Sequence, residues 1–163
     1  MDDIKPIELH IELPNHWAIA GESIWALNLG GDVFELKNVP CYAYDLNMGD
    51  RVLALIQPPD LILRVQKVVA KSGHRTLRAL LHENVDLGEW KKLTARLSDY
   101  GVTRIQVSER FFVFDIQPEG DYDSLYLRLE DLEELGILQY ETCEARSEGS
   151  FDDLPQDQQG ETR

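Results

Sequence analysis

The chain has only two cysteines, Cys41 and Cys143, and they lie far apart in the sequence. Disulfide-rich secreted domains and zinc fingers need more cysteines, in close spacings such as C-x-x-C. This scarcity excludes a disulfide framework and a cysteine-based zinc site. We expect both thiols to be reduced and to pack as small apolar groups.

Long apolar runs are also missing. No stretch approaches the roughly 20 apolar residues that a membrane-spanning helix needs, and the first residues, Met1-Asp-Asp-Ile-Lys-Pro6, are acidic where a leader would be basic. Both absences predict a soluble, cytoplasmic protein with no membrane partner. The 43% hydrophobic content over 163 residues can fill the core of one ordinary domain or of two small ones.

Basic residues are scarce, because 16 Lys and Arg stand against 30 Asp and Glu. The imbalance is mainly C-terminal: residues 1–118 hold 16 acids and 13 bases, whereas residues 119–163 hold 14 acids and 3 bases. The negative electrostatic field of this acidic region repels nucleic acid and attracts a basic protein. The alternative is that the acidity only keeps the protein soluble.

Groupings that carry chemistry are absent as well. The histidines His10, His16, His74 and His82 lack the H-x-x-x-H and H-E-x-x-H spacings of metal sites. Ser72 lies near His74, but the stretch has no nucleophile elbow and no third orienting group. The sequence therefore predicts no catalytic residue, no metal site and no cofactor.

Apolar alternation and frequent Gly and Pro turns predict about five short strands in residues 1–71. Such a pattern is typical of a small bent sheet or a partly open barrel. The side chains of Trp25, Leu27 and Leu29 fall on one face of the second strand. We therefore expect Trp25 to anchor this module's core.

The segment from Leu61 to His82 predicts two strands folded about Ser72-Gly73-His74. It carries five basic residues and no acid, namely Arg64, Lys67, Lys71, Arg75 and Arg78. This basic ribbon could contact nucleic acid. Because the bulk of the chain is acidic, we favour pairing of the ribbon with the protein's own acids.

After His82 the apolar period becomes helical. Asp86 caps a predicted helix that ends at Tyr100, and a second helix is predicted over Tyr122–Leu135. With four strands around them, these helices give the order β-α-β-β-α-β of a ferredoxin-like sandwich. The predicted fold is thus α+β, with a β-rich module at 1–71, a ferredoxin-like module at 72–146 and an acidic disordered tail at 147–163.

Four short motifs occur in a fixed order along the chain: Glu22-Ser-Ile-Trp-Ala26, Asn38-Val-Pro40, Gly49-Asp-Arg-Val52 and Ser72-Gly-His-Arg-Thr76. Over roughly residues 5–145, the chain resembles an uncharacterised bacterial family, a domain of unknown function. Arg75 stands where that family usually has serine. The resemblance implies a fold and no activity, and its motif positions here are Trp25, Asn38, Pro40, Gly49, Asp50, Ser72, Gly73 and His74.

We expect a non-enzymatic, acidic protein-binding module, in its sharpest form an immunity or inhibitor protein that occludes a basic partner. The candidate contact residues are the acids of the second helix and its cap: Asp121, Asp123, Glu130, Asp131, Glu133 and Glu134. The alternative is a regulatory domain that binds a ligand on the ferredoxin-like sheet or at a dimer interface.

Overall fold

The computed structural model describes residues 5–146 and 150–153 of the chain. This part contains nine strands and two short helices, so the fold is α+β and mostly β. The chain divides into two compact units, Met1–Ser72 with Glu144–Arg163, and Gly73–Cys143. We call them the barrel unit and the sheet unit.

The strands of the barrel unit form a closed, five-stranded barrel. They are β1 (Ile7–Glu12), β2 (Gly21–Gly30), β3 (Val33–Leu36), β4 (Arg51–Ile56) and β5 (Leu63–Ala70). Each strand pairs antiparallel with the next, and β1 pairs with β5 in parallel. The barrel is closed where the sequence predicts a bent sheet or a partly open one, and closure removes the two exposed edges.

The barrel interior is filled by alternate residues of its strands. On β2, Ile24 and Ala26 face inward and are 2% and 0% exposed, whereas Trp25 lies outside and is 50% exposed. The prediction that Trp25 anchors the core is therefore wrong. Successive side chains of a strand point to opposite faces, and the narrow interior of a five-stranded barrel takes the smaller set.

The sheet unit has four strands: β6 (Arg75–Leu81), β7 (Val102–Gln106), β8 (Phe111–Ile116) and β9 (Leu138–Thr142). Their spatial order is β7-β8-β6-β9, and all neighbours are antiparallel. Helix α1 (Leu87–Leu93) and a 3-10 turn (Leu97–Tyr100) connect β6 to β7, and helix α2 (Tyr122–Glu134) connects β8 to β9.

Both helices pack on one face of this sheet. Trp90 of α1 is fully buried, with its ring centroid 5.4 Å from that of Phe112 on β8. Leu125, Leu129 and Leu132 of α2 join the same apolar cluster. Burial of these large side chains is the main source of the unit's stability.

The segment from Leu61 to His82 contains the two predicted strands, β5 and β6, and these do not pair with each other. Strand β5 pairs with β4 and β1, whereas β6 pairs with β8 and β9. A turn is present, because Gly73 has a φ of +94°, which favours glycine. The two strands flanking that turn belong to different sheets.

The first helix is shorter than predicted. Asp86 caps it as expected, by accepting a hydrogen bond from the Glu89 N–H. The helix stops at Leu93, and the hydroxyl of Thr94 donates to the carbonyl oxygen of Trp90 at 2.9 Å. Such back-bonding competes with the regular helical pattern, and a 3-10 turn follows.

The predicted acidic tail, residues 147–163, lies outside the described residues except for 150–153. These four residues form a turn in the barrel unit. The backbone carbonyl of Asp152 accepts a hydrogen bond from the Trp17 N–H at 2.9 Å.

Candidate functional site

A long segment between β3 and β4, residues 37–50, has no regular secondary structure. Irregular segments of this length are uncommon in compact domains and are often binding loops. The Glu22 carboxylate accepts hydrogen bonds from three consecutive backbone N–H groups of the segment, those of Cys41, Tyr42 and Ala43, each at 2.8 Å. A single charged side chain therefore fixes the middle of the 37–50 loop.

Asp50 fixes the end of the same loop. Its carboxylate is fully buried and accepts hydrogen bonds from the N–H of Asn47 at 2.9 Å and the N–H of Ser72 at 2.8 Å. The Ser72 hydroxyl donates to the carbonyl oxygen of Met48 at 2.6 Å. Ser72 thus has a structural role, since its proton is bonded to a backbone carbonyl.

Other family-motif positions support the loop as well. The Asn38 side-chain oxygen accepts a hydrogen bond from the Trp25 N–H at 2.9 Å, Pro40 is buried, and Gly49 has a φ of +80°. The motif residues of the barrel unit therefore hold residues 37–50 in one conformation. These residues support the loop, and we call them the frame of the 37–50 loop.

A cavity of about 550 Å³ lies beside this loop. Residues 42–46 of the loop line it together with residues 11–16, residues 65–68, Arg146 and Asp152. Small-molecule sites commonly enclose roughly 300–1,000 Å³. Sequence analysis missed this cavity, because its walls come from segments far apart in the chain and no local motif marks them.

One histidine in the cavity wall is hydrogen-bonded to the backbone. The Nδ1 atom of His16 accepts hydrogen bonds from the N–H groups of Ala18 and Ile19, both at 3.0 Å. These two hydrogen bonds fix the orientation of the imidazole ring. The His16 ring meets the ring of Tyr42 edge-on, with centroids 5.6 Å apart.

The residues of the predicted basic ribbon are divided between the two units. In the barrel unit, Arg64 makes two 2.8 Å hydrogen bonds to Asp60 and a third to Glu12, while Lys71 lies 2.8 Å from Asp45. Hydrogen bonding from Arg64 lowers the pKa of Asp60 to about 2 and raises the pKa of Arg64. These cations pair with the protein's own acids.

The ribbon residues of the sheet unit have partners too. The guanidinium of Arg75 lies over the Tyr122 ring, 3.3 Å from its centroid, which is a cation–π contact. Arg78 is 1% exposed and lies 3.2 Å from the Glu141 carboxylate. Lys67 is exposed and joins no ion pair within the described part of the chain.

His74 lies just before β6 and alternates, like Thr76 and Arg78, with Leu77, Ala79 and Leu81, which belong to the apolar cluster that the helices join. Nδ1 of His74 lies 2.8 Å from the Asp115 carboxylate, which orients the imidazole. This arrangement is typical of a general base. The serine that the sequence places beside it, Ser72, is engaged with Met48.

Two of the six candidate acids are part of the fold. Asp121 caps α2 and accepts hydrogen bonds from the N–H and the hydroxyl of Ser124, which lower its pKa. The Glu133 carboxylate accepts a hydrogen bond from the Tyr140 N–H of β9 at 3.0 Å. Both carboxylates therefore already have hydrogen-bond partners within the chain.

The other four acids share one side of α2. Their helical spacing places them around Leu127, which is 58% exposed. Within the described residues, none of the four carboxylates makes a hydrogen bond or ion pair. We call this set the acidic leucine face: Asp123, Leu127, Glu130, Asp131 and Glu134.

Among residues 5–146 and 150–153, no three His, Cys, Asp or Glu side chains lie close enough together to hold a metal ion. In the same part of the chain, no helix is both long and apolar enough to cross a membrane.

Comparison with known proteins gives a family and a fold. The family model described as "Domain of unknown function (DUF4265)" matches residues 22–140. No curated protein matches the chain. A crystal structure of a hypothetical protein from Neisseria gonorrhoeae is similar, with a TM-score of 0.71 and 20% sequence identity over 88% of this chain and 97% of that one. At this identity the likeness supports the fold alone.

Proposed function

Because the chain belongs to DUF4265, a family without an assigned function, we propose a function from its own residues: a non-enzymatic module that binds a basic protein through the acidic leucine face. Its sharpest form is an immunity or inhibitor protein that covers the positive rim of a toxin or enzyme. A cytoplasmic location is part of the same proposal.

The charge distribution of α2 carries this proposal. The helix holds five acids and one arginine, a net charge of -4, and its last turn has no basic residue. The C-terminal end of a helix carries partial negative charge, so each acid there costs about 0.3–1 kcal/mol when unscreened. Within the described residues, Asp131 and Glu134 make no hydrogen bond or ion pair that offsets this cost.

Exposed leucines accompany these acids. Leu127 is 58% exposed and Leu135, at the end of the helix, is 72% exposed. Protein interfaces commonly place an apolar contact at the centre and charged groups around it, and the charges select the partner and speed its arrival. A partner that pairs a basic rim with an apolar pocket matches this face.

We also infer that the sheet unit is a ferredoxin-like sandwich. The strand order β7-β8-β6-β9 and its antiparallel neighbours support this interpretation, as do the helices that connect β6 to β7 and β8 to β9. The alternative function, ligand binding on that sheet or at a dimer interface, stays a prediction. The acidic leucine face favours the protein-binding role.

The test is capture of proteins from native lysate by the tagged chain at low and high salt. The α2 variant Asp123→Asn/Glu130→Gln/Asp131→Asn/Glu134→Gln removes the four charges and keeps Leu127. We expect it to lose a basic protein that the wild type retains at low salt and releases at high salt.

A matched control removes the same charge elsewhere. Glu8, Glu83, Glu109 and Glu119 are exposed acids outside α2, and their replacement by Gln removes the same four negative charges. If this control lost the partner as fully as the α2 variant did, binding would follow total charge and the proposed face would be wrong.

A further inference from the structure

The cavity of the barrel unit plays no part in the proposed function, and it has features of a ligand site of its own. We propose that it binds an organic amine, with a protonated amino group on a small apolar or aromatic body. Four observations support this ligand class: a buried carboxylate, aromatic walls, the local charge and the fixed loop. The site lies wholly within the barrel unit.

The carboxylate belongs to Asp152, which lines the cavity and is 5% exposed. Its Oδ2 atom accepts a hydrogen bond from Nε of Arg146 at 2.6 Å. Its Oδ1 atom is buried and has no hydrogen-bond partner among the described residues. A buried charged acceptor without a donor is costly, so a ligand that supplies an N–H gains this interaction.

The walls suit the rest of such a ligand. Tyr42 and Tyr44 provide aromatic surface, against which a protonated amine is attracted. Ile11, Val65 and Val68 provide the apolar wall. Polar and charged residues complete the lining, so a ligand in this cavity of about 550 Å³ would meet apolar surface and hydrogen-bonding groups together.

The buried charge in the cavity wall favours a cation over an anion. Three acids and two bases line it, namely Glu12, Asp45, Asp152, Lys67 and Arg146. Glu12 and Asp45 are exposed and pair with Arg64 and Lys71, each at 2.8 Å. Arg146 is bonded to Asp152 and Asp153, each at 2.6 Å, and Lys67 is exposed. The buried charged group of the wall is therefore Asp152, whose Oδ1 atom has no hydrogen-bond partner among the described residues. A ligand carboxylate would meet Asp152 with the same sign of charge.

The cavity is also formed in advance. Glu22 and Asp50 hold the 37–50 loop, which supplies residues 42–46 of the wall. A wall that is already ordered loses little conformational entropy when a ligand binds. By this proposal, the family-motif residues that hold the loop also keep the cavity ready for its ligand.

The experiment is a titration of the full chain with three matched probes, followed by NMR and calorimetry. The probes are 2-phenylethylamine, its neutral analogue 2-phenylethanol, and the anion 3-phenylpropionate. We expect saturable binding of the amine in the millimolar range or below, about tenfold tighter than either analogue. Shifts should be confined to resonances of the cavity wall, such as those of Tyr42 and Val68.

Two variants locate the site. Asp152→Asn should weaken amine binding about tenfold, whereas Asp32→Asn, an exposed change in the β2–β3 turn, should leave it unchanged. Lys67→Glu, an exposed change that keeps the fold even if Asp152→Asn does not, should strengthen amine binding about threefold.

The proposal is overturned if the amine does not saturate, if the anion binds as well as the amine, or if Lys67→Glu leaves the amine affinity unchanged. Amine binding that persists at full strength in folded Asp152→Asn would also overturn it. None of these results bears on α2, so the two proposals fail independently.

Discussion

The barrel unit and the sheet unit use their carboxylates differently. In the barrel unit, the Glu22 and Asp50 carboxylates accept hydrogen bonds from backbone N–H groups of the 37–50 loop, and Asp50 also from the N–H of Ser72. In the sheet unit, Glu141 pairs with buried Arg78, and four acids of α2 pair with nothing among the described residues. The acids behind the formal charge of -14 are therefore of two kinds: some are hydrogen-bonded or ion-paired within the fold, and others lie on the surface without such partners among the described residues.

The largest effect should come from breaking the buried ion pair of the sheet unit. Arg78→Met leaves the Glu141 carboxylate, 9% exposed, without its cation. We expect the free energy of unfolding to fall by about 4 kcal/mol in urea titrations. Arg128→Met, the same change at an exposed position of α2, is the control, and an equal loss in both would contradict the structural role of Arg78.

Glu22→Gln tests the frame of the barrel unit. The amide has one acceptor oxygen where the carboxylate uses two, so at least one of the N–H groups of Cys41, Tyr42 and Ala43 loses its partner. We expect a loss of about 3 kcal/mol in unfolding free energy. Glu8→Gln, on an exposed carboxylate, should change it by less than about 0.5 kcal/mol.

Neutralising acids of α2 should raise the unfolding free energy, whereas the two changes above lower it. Asp131→Asn with Glu134→Gln removes negative charge from the C-terminal end of the helix, which we expect to raise the unfolding free energy by about 0.5 kcal/mol at low salt. The gain should shrink as salt is added. A clear loss of stability would mean that these acids, like Glu22, belong to the fold.

The smallest effect concerns the surface pair of Asp60 and Arg64. The folded-state pKa of Asp60 is about 2, below its ordinary 3.8, so its ionised form contributes stability above that ordinary value. This contribution is lost as the pH falls from about 4 to about 2. Asp60→Asn should be slightly less stable than wild type at neutral pH and equal to it below pH 2. A constant difference across this range would contradict the pairing.

Local structure was predictable where one residue decides it. Asp86 caps α1 and Gly73 makes a turn, because each acts on its immediate neighbours. Pairing partners were not predictable from the same residues. Gly73 has the φ of a turn whether or not the flanking strands meet, and the distant Asp50 accepts the N–H of Ser72.

The sequence pattern also could not show which face of β2 points into the barrel. Both faces of that strand are apolar, so the period of two shows alternation and not direction. Trp25 was the larger residue and lies outside, because barrel closure limits the space inside. Likewise, the acids of α2 were identifiable, but the roles of Asp121 and Glu133 depend on where Ser124 and Tyr140 lie.

The central claim is that the acidic leucine face binds a basic protein and adds nothing to the fold. The most direct measurement is the Kd of the captured protein for the wild type, the four-charge α2 variant and the charge-matched control. We predict a loss of about thirtyfold for the α2 variant, or about 2 kcal/mol at roughly 0.5 kcal/mol per charge, with the control close to wild type. Equal affinities for the α2 variant and the wild type would contradict the claim.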